Sequence, residues 1–262
     1  MPKTPTIWIL AGEASGDQYG ARLARELKTL RPDTVVKGMG GGAMREEGVE
    51  ILVDSTDLAV VGVVEVLKQF RTFLRVFKSL KEQAKQERPD CVVLIDYPGF
   101  NLRFAEKMHR AGIPVVYYVS PQVWAWGKKR IPKLAEYCDR MLVIFPFEVD
   151  VFRDTGLDVQ FVGHPLIEIL RDSQLPAVQR DPDTVMLLAG SRKNEVRKLL
   201  PIMLKTAAWI ARRKPECKFV VSLHDESLKP LVEKIVAKQV RGNSPLRDHV
   251  EIVVGRTREW LQ

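Results

Sequence analysis

Cysteine is scarce. Cys91, Cys138 and Cys217 are far apart, odd in number and without CxxC spacing, which excludes a disulfide framework and a zinc-site pattern and suits a reducing compartment. Histidine is nearly as rare, and His109, His224 and His249 have no partner spacing that would give them a role. Long apolar runs are missing as well: a spanning helix needs roughly 18 such residues, and the best candidate, Leu58 to Leu67, is interrupted by Glu65. The first apolar run, Ile7 to Gly12, is followed at once by Glu13 and Asp17, so it reads as a strand and not as a signal peptide. Repeats and low-complexity tracts are absent.

What remains is a globular composition, 45% hydrophobic and 28% charged over 262 residues. The net charge of +8 is uneven, +2 over residues 1–165 and +6 over residues 166–262. Such a balance suits nucleic acid, an anionic membrane surface or a phosphorylated substrate, and charge alone does not choose among them.

Short apolar runs alternate with helical periodicity, the pattern of a parallel sheet with crossover helices. Strands are predicted at Thr6–Leu10, Val35–Met39, Cys91–Ile95, Val115–Val119, Met141–Phe145 and, more weakly, Val159–Val162. Helices are predicted at Gly20–Leu30, Leu58–Gln86 in two pieces, Leu102–Arg110 and Glu148–Thr155. These elements make an α/β lobe over residues 1–169. The polar, breaker-rich stretch 170–183 reads as a linker. A second α/β lobe, 184–262, follows with strands at Val185–Leu188, Lys218–Ser222 and Val250–Val254 and helices at Asn194–Arg213 and Leu228–Lys238. Three strands are few for a lobe, so this one is expected to be incomplete.

Ligands of open parallel sheets sit beyond the carboxyl ends of the strands, where helix N-termini attract anions. Six loops fall there. In Ala11-Gly12-Glu13-Ala14-Ser15-Gly16-Asp17, Gly12 permits close backbone approach, Glu13 and Asp17 can accept from sugar hydroxyls and Ser15 can donate; the plainer reading makes Asp17 a helix cap. The glycines of Gly38-Met39-Gly40-Gly41-Gly42 suit either a ligand or a simple turn. Asp96, at the end of the most apolar strand and flanked by Tyr97 and Phe100, is the candidate general base, and Asn101 is either a ligand contact or a helix cap. Ser120, Gln122, Trp124 and Trp126 form a sugar or acyl platform or else a loop core, followed by Lys128, Lys129 and Arg130. His164 touches a ligand or serves a hinge. Gly190, Ser191, Arg192 and Glu195 open the second lobe's first helix, where Arg192 can hold a diphosphate, although the GxxxxGK[ST] pattern is absent. Finally, Val63, Val66, Leu67, Phe70, Phe73, Leu74 and Phe77, interleaved with Lys68, Arg71, Arg75 and Lys78, suit an acyl chain or lipid interface, or ordinary packing on the sheet.

In this order the segments AGEASGD (11–17), LAVVGVVEVL (58–67), IDYPGFN (95–101), YYVSPQVWAW (117–126), FPFE (145–148), FVGHPL (161–166) and GSRKNEV (190–196) resemble the lipid-A-disaccharide synthase family. Two departures stand out: Ala189 replaces the family's usual proline, and the family continues past a segment like GRTREWLQ (255–262) into the nucleotide-holding part. The resemblance implies two Rossmann-like lobes of the GT-B type facing a cleft, the second truncated, with neither catalytic metal nor cofactor. It implies inverting transfer of diacylglucosamine from UDP-diacylglucosamine to diacylglucosamine 1-phosphate, with Asp96 as base and Arg192 on the leaving diphosphate. Glu13, Ser15 and Asp17 would shape the cleft, and the Val60–Phe77 stripe would meet acyl chains or the inner-membrane surface. It further implies a peripheral enzyme on the cytoplasmic face of the inner membrane, a homodimer in full-length form, and no nucleic-acid partner. The alternatives are a noncatalytic remnant that binds lipid or acceptor, and a UDP-sugar epimerase on the same scaffold.

Overall fold

A strand that is apolar on both faces must be covered on both, and the first strand, β1 (Thr6–Ala11), is of this kind. Its alternate residues enter different cores: Trp8 and Leu10 join one, Ile9 and Ala11 the other. In β4 (Cys91–Ile95) Val92 and Leu94 side with the first core and Val93 and Ile95 with the second. The structure, a computed structural model, describes residues 4–55, 65–172, 181–223, 226–241, 244–255 and 257, with the backbone alone for 65–71. It divides into two compact units, Met1–Arg171 and Asp172–Gln262.

In the first unit the chain runs β1, α1 (Ala14–Leu30), β2 (Val35–Gly40), α2 (Gly42–Glu46), β3 (Glu50–Asp54), α3 (Glu65–Glu87), β4, α4 (Pro98–Arg110), β5 (Val115–Tyr118), α5 (Ile131–Tyr137), β6 (Arg140–Val143), α6 (Glu148–Val151), β7 (Asp158–Phe161) and α7 (Pro165–Asp172). All strands are parallel, in the order β3-β2-β1-β4-β5-β6-β7. Helices α1 and α2 cover one face through Ala21, Ala24 and Met44, while α3, α4 and α5 cover the other through Leu80, Phe100, Phe104 and Leu134. The sheet is doubly wound, and its direction of winding reverses between β1 and β4.

The second unit has β8 (Thr184–Leu187), α8 (Lys193–Ala211), β9 (Lys218–Leu223), α9 (Lys229–Gln239) and β10 (Val250–Val254), parallel and in the order β10-β9-β8. One core holds Leu187, Phe219, Val221 and Leu223 against Val196, Leu200 and Leu204 of α8 and Val232 of α9, so both helices lie on the same face.

Several boundaries differ from the periodicity. Helix α1 starts at Ala14 and not at Gly20, because its first turns pack through glycines and Ala11, which leave no apolar stripe. Helix α4 starts at Pro98, a residue preorganised for a first turn, and not at Leu102. Helix α7 runs to Asp172, into the stretch predicted as linker; residues 173–180 of that stretch lie outside the described residues, as do 58–64 of the second predicted helix and 258–262.

Candidate active site

The reversal of winding places the loop after β1 beside the loop after β4. Ala11 pairs with Ile95 in the register, so Gly12 and Asp96 leave the sheet side by side. Gly12 is needed there: a Cβ on it would come within 2.3 Å of the Tyr97 ring. Glu13, extended at φ −137°, opens α1, and Ser15 lies exposed in its first turn.

Backbone strain concentrates at this edge. Asp96 and Tyr97 have φ of +46° and +47°, and the β-branched Val119, at the end of the neighbouring β5, has φ of +65°. Such conformations cost about 1–3 kcal/mol each and persist only where their surroundings impose them. The restraints are visible. The Asp96 carbonyl accepts from the Asn101 Nδ2 amide at 2.8 Å and from the Tyr117 hydroxyl at 2.7 Å, and Asn101 Nδ2 also reaches the Ile95 carbonyl at 3.1 Å. Both side chains are fully buried. Asn101 is therefore neither helix cap nor surface ligand; it sits inside the first turn of α4 and fixes the backbone that carries Asp96.

Burial pushes the Asp96 carboxyl pKa up, and the nearby Glu13 carboxylate pushes it further, against the pull of a hydrogen bond from the Tyr97 backbone. Tyr19 and Tyr97 are raised by burial first and then by Asp96 and Glu13 respectively, and Tyr117 is raised well above its ordinary value by burial and Asp96. The edge thus joins one carboxylate of increased basicity, a second acid and three phenols that keep their protons.

Asp17, expected with this group, is turned elsewhere. It is 7% exposed, and its carboxylate accepts from the backbone N–H of Gly41 (2.6 Å), Ala43 (3.0 Å) and Met44 (3.2 Å). It caps α2, a different helix from its own, and pins the glycine loop; the glycines there accommodate Asp17 and Met44.

A second group lies beyond β5, β6 and β7. Ser120 is buried with its hydroxyl on the Pro121 carbonyl, and Gln122 is exposed. The rings of Trp124, Phe147, Phe145 and His164 follow one another at centroid spacings of 5.2, 5.7 and 5.5 Å. Glu148, 2% exposed, stands beneath them: its carboxylate accepts from the Phe145 N–H at 3.1 Å and from the Trp124 side chain, while burial raises its pKa. His164 Nδ1 accepts from the Leu166 N–H at 3.1 Å, so in the neutral ring the proton is on Nε2.

In the second unit the donors foreseen for a diphosphate are already engaged. Glu195 Oε2 accepts from the N–H of Ser191 (3.1 Å) and Arg192 (3.2 Å), and its Oε1 lies 3.5 Å from the Arg192 guanidinium. The carboxylate stands where an anion would bind, and Gly190, at φ +103°, leaves the space for it.

The apolar stripe divides. Val63 lies outside the described residues, as do the side chains of Val66, Leu67 and Phe70. Phe73 and Phe77 meet the Phe100 ring edge-on at 5.2 Å, so both serve the core. Leu74 is 45% exposed.

Sequence reasoning assigned nothing to Glu148, Tyr19, Tyr117, Phe145 or Phe147. A signal existed for two of them: a lone acid in the run Met141–Val149, and a tyrosine at an inward strand position, where the hydroxyl requires a partner.

A doubly wound parallel sheet followed by a second parallel α/β unit is the GT-B-type fold, shared with solved UDP-GlcNAc 2-epimerases. The UDP-GlcNAc 2-epimerase of Neisseria meningitidis, solved with UDP-GlcNAc, matches with a TM-score of 0.65 at 14% identity, over 95% of this chain and 72% of its own. A putative UDP-N-acetylglucosamine 2-epimerase from Listeria monocytogenes matches with a TM-score of 0.68 at 12% identity, over 96% of this chain and 69% of its own. At these identities the likeness is one of fold. The family profile described as lipid-A-disaccharide synthetase matches residues 7–247, and the chain belongs to that family. The lipid-A-disaccharide synthases of Coxiella burnetii (strain Dugway 5J108-111) and Geobacter sulfurreducens are each 44% identical, over 83% and 86% of this chain and 60% and 62% of their own lengths. That of Myxococcus xanthus is 40% identical, over 85% of this chain and 60% of its own. The chain spans about three-fifths of the curated relatives it matches.

Proposed function

We propose that the chain carries the chemistry of a lipid-A-disaccharide synthase: inverting transfer of 2,3-diacylglucosamine from UDP to 2,3-diacylglucosamine 1-phosphate. The observation that supports this most is Asp96, a carboxylate of raised pKa at the sheet's switch point, on a backbone clamped by Asn101 and Tyr117. Asp96 takes the proton of the acceptor hydroxyl as its oxygen bonds to the anomeric carbon of the donor. The bond from that carbon to the diphosphate breaks on the opposite side, and its electron pair leaves with UDP. Arg192 receives the charge on the departing diphosphate once Glu195 swings aside. The reading gives no metal or cofactor a part. It places the work at the cytoplasmic face of the inner membrane, with peripheral attachment; among the described residues no helix is long and apolar enough to cross a membrane.

The test is UDP release from the two diacylated substrates, with the disaccharide identified by mass. Asp96→Ala should remove turnover while the melting curve stays cooperative. Near-normal turnover in that variant would take Asp96 out of the mechanism, and 2-epimerisation of UDP-GlcNAc without transfer would favour the epimerase alternative.

A further inference from the structure

We propose that the outward face of α8 in the second unit docks on an anionic phospholipid bilayer. The core-facing residues of this helix, Val196, Leu200, Leu204, Ala207 and Ala211, account for one side of it. On the opposite side, where a surface helix is normally polar, stand Ile202 and Trp209, 62% and 56% exposed, with Leu199 beside them at 44%. Seven residues separate Ile202 from Trp209, two helical turns, so they line up along the axis. Around them cations predominate: residues 196–215 include Arg197, Lys198, Lys205, Arg212, Arg213 and Lys214 and no aspartate or glutamate, and Glu195, seven residues before Ile202 on the same line, is engaged by the Ser191 and Arg192 N–H groups and the Arg192 guanidinium. At helical spacing Lys198, Lys205 and Arg212 flank one side of the strip and Arg213 the other, all of them exposed. The Arg213 guanidinium lies 3.6 Å from the Trp209 ring centre. An amphiphilic indole with a cation over its face matches the headgroup level of a membrane, where the ring is half immersed and the cation meets phosphate.

Charge decides the occupant. A second copy of this face would set the same cations against one another, which like-charge repulsion opposes. A bilayer bearing anionic headgroups complements both the apolar strip and its rim, each cation near such a surface strengthening binding about fivefold. The inference rests on the peripheral attachment in the proposed function and gives it a surface, while binding to vesicles, which involves neither donor nor acceptor, fails or succeeds separately from the transfer reaction.

The experiment is co-sedimentation of the 262-residue chain with vesicles of phosphatidylcholine, with and without phosphatidylglycerol. Binding is expected with the anionic lipid and to be at least about tenfold weaker without it. The double variant Ile202→Ser/Trp209→Ser should lose about tenfold or more on anionic vesicles, and Lys205→Glu/Arg212→Glu a comparable factor. Both pairs are exposed, so unchanged circular dichroism and melting will show the fold to be intact; Leu30→Ser in the first unit, an exposed apolar residue outside the Val60–Phe77 stripe, serves as the control that keeps binding. Equal affinity for neutral vesicles, or undiminished binding by the Ile202/Trp209 variant, would overturn the proposal. So would a chain that ignores vesicles but dissociates from dimer to monomer in that variant, which would make the face a self-interface.

Discussion

The capping of α2 by Asp17 separates two roles that the sequence left open. In Asp17→Ala the backbone N–H groups of Gly41, Ala43 and Met44 lose their acceptor inside the protein. Hydrogen bonds to a charged group contribute about 1.5–3 kcal/mol each, but three that share one carboxylate do not add in full, and breaking such a buried set typically costs about 3–5 kcal/mol. For a unit the size of Met1–Arg171, each kcal/mol corresponds to about 2–4 °C, so the alanine variant should melt about 6–20 °C lower. Asp17→Asn offers a finer test. Its single oxygen can still serve Gly41 and Met44, both of which bond Oδ1, but its amide turns donors toward the Ala43 N–H; the loss should be about 1–3 kcal/mol. Thermal melts followed by circular dichroism, with the first unit's transition assigned from a fragment ending after α7, provide the measurement. If Asp17→Ala melts within about 1 °C of the parent and loses ligand binding instead, the carboxylate serves a ligand and the capping argument is wrong.

Two further outcomes follow from the same geometry. Asp96 holds its proton more tightly folded than unfolded, so its ionisation costs stability above the folded pKa and costs nothing below the ordinary value of 3.8; Asp96→Asn should therefore melt higher than the parent at neutral pH, with the gain disappearing on acidification through that window, and an equal gain at every pH would refute the linkage. Phe77 packs on Phe100 and Phe104, so Phe77→Ser should destabilise the first unit by about 3–5 kcal/mol whereas exposed Leu74→Ser should change its melt by less than about 0.5 kcal/mol; similar melting curves for the two would show that the stripe is not core.

Much of the fold was legible because it rests on periodicity. Strands with unbroken apolar runs, Ile7–Ala11 in β1 and all of β4, announce a two-sided core, and all three strands of the second unit lie within a residue or two of their expected positions. The short edge strand β3 was missed because its apolar run, Ile51–Val53, is only three residues long between a glutamate and an aspartate. The place of Asp96 at the end of a central strand was legible because the apolar run Cys91–Ile95 ends there. The direction of a side chain was not. Asp17 and Glu195 sit in ligand-like loops, yet both are occupied by backbone N–H groups of the protein itself, and nothing in spacing distinguishes an acid that awaits a ligand from one that replaces it. Tyr117 and Asn101 act through the Asp96 carbonyl, an interaction that exists only after β4, α4 and β5 have come together.

The contact between Gly12 and the Tyr97 ring bears on how such chains can diverge. Any side chain at position 12 would occupy the volume of that ring, and the ring belongs to a residue already held in a left-handed conformation beside Asp96. Substitutions at the two positions are therefore epistatic: a library that randomises the first loop alone will be depleted in functional members at position 12, and variety there becomes accessible only through genotypes in which position 97 has changed first.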